Sequence, residues 1–68
     1  MTEPPVTEWE QWAVAHHYVE KHGDEAPVVI AMRADELLER GEVLGANTYV
    51  AIVRKSEQLL NRSDSSVH

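Results

Sequence analysis

The stretch Lys21-His22-Gly23-Asp24-Glu25-Ala26-Pro27 ends one helical pattern and opens the next within a few residues. Any fold for this chain must turn there. Gly23 suits the left-handed position just past a helix end, where a Cβ is costly. Lys21 and His22 precede it, and positive charge in a last turn faces the negative end of the helix dipole. Asp24 can accept hydrogen bonds from the free N–H groups that open a second helix. Pro27 belongs in that first turn, where a missing N–H matters little. With Asp24 as cap, Pro27 stands third in the helix and crowds Ala26. With Ala26 as cap, it stands first. The Asp24 side chain favours the former.

On either side of this hinge the apolar residues recur at helical spacing. Upstream, Thr7-Glu8-Trp9-Glu10 matches a capping box, in which Thr7 caps the third N–H and Glu10 reaches back to the Thr7 N–H. The first helix is expected over about 8–22. Trp9, Trp12, Ala15, His16 and Val19 share one face at 100° per residue, with Trp12 as the core anchor. The pattern leaves Trp9 open between core and surface. The second helix is expected over about 25–40. Ala26, Val29, Ile30, Arg33, Ala34 and Leu37 form its inner face, and Gly41 closes it. The third is expected over about 42–61, with Tyr49, Ile52, Val53, Ser56, Leu59 and Leu60 on one side. Asn47 is a second candidate cap for it, and Gly45 is a weak interior position costing about 1 kcal/mol against alanine.

Three amphipathic helices with short connections imply an all-α chain, an antiparallel three-helix bundle. Residues 1–6 are expected to be a flexible arm, 7–61 the helical domain and 62–68 a disordered tail. A chain of 68 residues buries roughly 60% of its unfolded surface, so its core is marginal at about 3–5 kcal/mol. There are no cysteines, which excludes disulfides and thiolate metal sites and fits a cytoplasmic protein. No apolar run is long enough to cross a bilayer, and Met1-Thr2-Glu3-Pro4-Pro5 is unlike a signal peptide.

Trp12-Ala13-Val14-Ala15, His22-Gly23-Asp24-Glu25-Ala26, Ile30 with Arg33, Gly41-Glu42, and Tyr49 with Ile52 together resemble a family of small uncharacterised helical proteins from alphaproteobacteria. Its members carry a Trp-Ala opening, a His-Gly-Asp hinge, an Ile-x-x-Arg segment and a late aromatic. The likeness spans about residues 9–60, and the hinge is its most specific motif. Tyr49 stands where an indole is usual, and Pro27 and Trp9 are further departures. The resemblance implies a helical fold and a bacterial cytoplasmic setting. It implies no activity and no catalytic residues.

Charge narrows the functional classes. The formal net charge is −6, and residues 1–42 hold three bases against ten acids. An acidic body repels phosphate backbones, so nucleic acid is a disfavoured partner. Residues 43–68 are close to balance, and Arg54, Lys55 and Arg62 are the residues that would serve a nucleic-acid-associated regulator. His16 and Glu20 share a helix face four residues apart, with His17, His22 and Asp24 nearby. Zinc needs three or four ligands in tetrahedral array, and this set falls short, so no metal or other cofactor is expected. The ordinary arrangement puts His16 in a partly buried hydrogen bond, His17 in solvent and His22 at the helix end. Arg33, on the inner face, is either an anion site with His16 or an aliphatic stem whose guanidinium reaches a carboxylate. No nucleophile or acid–base pair stands out. A bundle of short helices has little room for a pocket of about 300 Å³, so no enzyme is expected.

The remaining signal is apolar. Val14 and Tyr18 lie four apart on the back of helix 1, as do Val28 and Met32 on helix 2. A monomeric bundle needs neither pair. Together they suggest a non-enzymatic protein-interaction module, binding another protein or a second copy.

Overall fold

The computed structural model describes residues 7–65, with side chains through 61. The described residues are all α, with no strand among them. Helix α1 spans Glu8–His22, α2 spans Ala26–Glu39 and α3 spans Val43–Ser65. A single 3-10 turn, Gly23–Glu25, joins the first two. The expected arm at 1–6 lies outside the described residues, as does the tail end at 66–68. Helix α3 itself continues past the expected end near residue 61, to Ser65.

The capping box forms. Thr7 Oγ1 accepts from the Glu10 N–H at 3.3 Å, and the Thr7 N–H donates to Glu10 Oε1 at 3.0 Å. At the other end of α1, Gly23 takes φ +61° and returns its N–H to the Val19 carbonyl. The cap expected of Asp24 is not made. Asp24 sits inside the 3-10 turn, Glu25 precedes the helix without a side-chain cap bond, and Ala26 and Pro27 open α2. The 3-10 turn itself satisfies the backbone there, as the Ala26 N–H returns to the Gly23 carbonyl.

Helix α2 ends in a Schellman arrangement. Gly41, at φ +82°, donates to the Leu38 carbonyl at 2.9 Å, and Glu42 donates to the Leu37 carbonyl at 2.9 Å. The Ala46 N–H already returns to Glu42, so α3 starts at once. Gly45 then lies against Leu37, where a Cβ would stand 3.5 Å from the Leu37 Cδ1.

Helix α3 packs against both others more extensively than they pack against each other. The buried core joins Ala15 of α1, Ala26 and Ile30 of α2, and Ile52 of α3. Ser56 is also fully buried, and its hydroxyl donates to the Val53 carbonyl at 2.7 Å. Such a bond satisfies the group locally and lets it sit among apolar neighbours. Small residues at 15, 26, 34 and 46 let the helix backbones approach.

The inner faces of α2 and α3 follow the sequence pattern, with the exception of Arg33, which is exposed. Helix α1 follows it only in part: Ala15 is buried and Val19 packs against the core as expected, but the arc is turned. Trp9 is 76% exposed and His16 is exposed, while Val14 and Tyr18 pack against the core. The buried arc is rotated by roughly 80° from the expected one. Trp12 is half-buried at its edge, so it is a shoulder of the core and not its centre.

Candidate protein-contact surface

Two faces survive as places where a partner could act. The first is the outer face of α2. Its inner face is fixed by Ala26, Ile30, Ala34 and Leu37, so Val28 and Met32 point outward, 61% and 59% exposed. Helical spacing brings Asp35 and Glu39 onto the same side, and Asp24 stands in the 3-10 turn that leads into the helix. All three are exposed, and none forms an ion pair among the described residues. The face is an apolar pair flanked by carboxylates.

The second face is a groove of about 520 Å³ between the start of α1 and the middle of α3. Trp12, Val50 and Ala51 line it together with Glu8, Arg54 and Lys55. The Lys55 ammonium lies 5.4 Å from the centre of the Trp12 ring and 4.0 Å from Glu8 Oε2. Its side chain is only 13% exposed, because its stem lies along α1. Arg54 is exposed and forms no ion pair among the described residues. A smaller groove of about 410 Å³ lies beside it, between Trp9, Trp12, His16 and Leu59. The expectation of little room for such spaces is thereby corrected. They open on the surface between α1 and α3 and do not hollow out the core.

The four expected contact residues divide. Val28 and Met32 are outer residues. Val14 and Tyr18 belong to the core layer, because α1 is turned to bring them against α2 and α3. Tyr18 stacks on His22 at 5.8 Å between ring centres and stands beside Tyr49 and Arg33. Burial, with the Tyr49 oxygen adding to it, pushes the Tyr18 phenol above its usual range against the pull of Arg33.

The basic set also divides. Arg54 is free in the sense just given, Lys55 is held against Trp12 and Glu8, and the side chain of Arg62 lies outside the described residues. Arg33 bonds Glu36 Oε1 at 3.0 Å, which raises its already high pKa. His16 Nδ1 lies 3.8 Å from Glu20 on an exposed surface, so the partly buried hydrogen bond expected for it is not made. Among the described residues, no three His, Asp or Glu side chains come together as metal ligands. No helix of the described residues is long and apolar enough to cross a membrane.

Residues 7–64 match the model of a family of unknown function, DUF6961. The chain belongs to that family. The matched region takes in the capping box, the hinge, both faces just described and all three helices. No curated protein and no solved structure matches the chain.

Sequence reading missed the groove. Its signal was present in α3, where Asn47, Val50 and Arg54 fall on one side at spacings of three and four residues and Val50 is exposed.

Proposed function

We propose that this chain is a small acidic, non-enzymatic protein-interaction module of the bacterial cytoplasm. In this reading its helices act as an antiparallel three-helix bundle that presents the outer face of α2. The observation that carries the reading is the exposure of Val28 and Met32 side by side, opposite a core that needs neither. Methionine adapts its shape to a partner, and a short apolar pair within a charged rim is the usual anatomy of a contact surface. A core this small also gains from association, since anything bound to the folded state alone stabilises it. Val14 and Tyr18 serve the bundle from inside and leave the contact surface to α2.

The nucleic-acid reading has weaker support. Lys55 is committed to Trp12 and Glu8, which leaves Arg54 as the one accessible cation of the described pair. The contact surface is tested by capturing partners from a lysate of the source cell with the wild-type chain and with Val28→Glu and Met32→Glu. Both variants should keep full helicity and lose the stoichiometric partner. A partner retained equally by both would remove α2 as the contact face. Nucleic acid recovered at low salt and lost at moderate salt would favour the regulator instead.

A further inference from the structure

The two faces described above complement each other, and they lie on different sides of the same molecule. We propose that the α2 outer face of one copy docks into the α1–α3 groove of a second copy, so that the chain associates head to tail. The proposal rests on the reading of α2 as a contact surface and names its occupant.

The complementarity is of charge and of length. The α2 face carries Asp35 and Glu39 beside Val28 and Met32, with Asp24 in the turn that leads into it, and these acids lack ion-pair partners among the described residues. The groove carries Arg54 and Lys55 around Trp12, Val50 and Ala51. Glu8 is the one acid among these groove residues, and its carboxylate already lies 4.0 Å from Lys55. That leaves Arg54 as an uncompensated cation on an apolar floor. An α2–α2 contact through the same face is disfavoured. In an antiparallel pairing Asp24 of one copy would approach Asp35 and Glu39 of the other, and like charges brought together repel. The groove spans about 17 Å of α3 from Asn47 to Gln58, and the α2 face spans about 17 Å from Val28 to Glu39. A single helix laid in the groove therefore brings Met32 and Val28 over Trp12 and Val50 with an acid left for Arg54.

The contact is heterologous. Each copy offers one face and one groove, and neither is used up by pairing with itself. Contacts of this type propagate into open chains or rings rather than closed two-fold dimers. One helix in one groove sits at the small end of specific interfaces, below about 1,200 Å². The association is accordingly weak, dependent on concentration and reduced by salt.

Sedimentation equilibrium on the full chain tests this, using Met32→Glu to spoil the face and Arg54→Glu to spoil the groove. Both residues are exposed, and circular dichroism checks that both variants stay folded. The wild type should rise above dimer mass as its concentration approaches about 1 mM, the weak end of measurable affinity, and should fall back in high salt. Each variant alone should remain a monomer. An equimolar mixture should form a 1:1 dimer and stop there, because Arg54→Glu keeps its face and Met32→Glu keeps its groove, while the two spoiled surfaces each carry an added carboxylate and repel. A wild type that stays monomeric throughout overturns the proposal. So does a wild type that stops at a dimer, a mixture that fails to pair, or a variant that associates alone as the wild type does. A monomeric wild type whose captured partner is lost in Met32→Glu would overturn the self-docking and leave the interaction reading standing.

Discussion

Gly45 faces Leu37 across the tight turn between α2 and α3, with room left for a methyl group. A Cβ at Gly45 would stand 3.5 Å from Leu37 Cδ1, which is ordinary van der Waals contact. Gly45 has no positive φ and lies inside a helix. Glycine there adds unfolded-state entropy and no packing. Gly45→Ala should therefore stabilise the fold by about 0.5–1 kcal/mol. Urea titration followed by circular dichroism measures it, and a destabilised variant would mean that the Leu37 contact cannot accept the methyl.

Gly41 gives the opposite outcome for a backbone reason. Nothing lies within 4 Å of a Cβ built on it, yet its φ is +82°. The Schellman bonds to Leu37 and Leu38 hold that conformation. Gly41→Ala should cost about 1–2 kcal/mol through strain alone, and Gly41→Asn less, because asparagine tolerates the left-handed region. A similar cost for both substitutions would place the effect elsewhere than the backbone.

Tyr18 sets an alkaline limit. Its phenol titrates above the usual range in the folded state, chiefly because burial disfavours the charged form. In the unfolded chain it loses its proton near pH 10. Above that pH the unfolded state binds fewer protons than the folded one, so stability falls as pH rises through the raised folded value. Below it, this contribution is fully present. Tyr18→Phe should flatten that alkaline slope, in thermal melts taken on either side of pH 10. An unchanged slope would show that Tyr18 ionises as freely folded as unfolded.

How far the sequence spoke for the fold varies by helix. Helices α2 and α3 were legible because Ala26, Ile30, Ala34 and Leu37, and Ile52 and Ser56, recur at helical spacing on one side. Helix α1 was not, because its apolar residues spread around it. Trp9, Trp12, Val14, Tyr18 and Val19 permit several phases, and only the positions of α2 and α3 select the one that buries Val14 and Tyr18. The hinge was legible as a turn through Gly23 but not in its cap, since a 3-10 turn satisfied the backbone without the Asp24 side chain. The exposure of Val28 and Met32 followed from the period of α2. The groove did not, because it depends on how α1 approaches Lys55, a relation between residues far apart in the chain.

The same approach gives a test of what holds α1 to α3. Lys55 reaches Trp12 and Glu8 with a side chain that is only 13% exposed, whereas that of Glu8 is 79% exposed. A pair of that kind contributes about 0–1 kcal/mol, since water screens the exposed partner. The ring contact adds about 0.5–1 kcal/mol. Against these stands the cost of holding an ammonium in a half-dry groove, which a neutral chain of the same length would not bear. The stem packing is the part that does not cancel. Lys55→Met keeps that packing and should change stability by less than about 1 kcal/mol, in line with other volume-conserving exchanges. Lys55→Ala uncovers Trp12 and should cost about 1–2 kcal/mol. The Trp9→Phe background makes Trp12 the sole indole and lets its fluorescence report directly. Its emission should shift red in the alanine variant and hold in the methionine one. Equal losses in both variants would instead make the ammonium, and not its stem, the element that fastens α1.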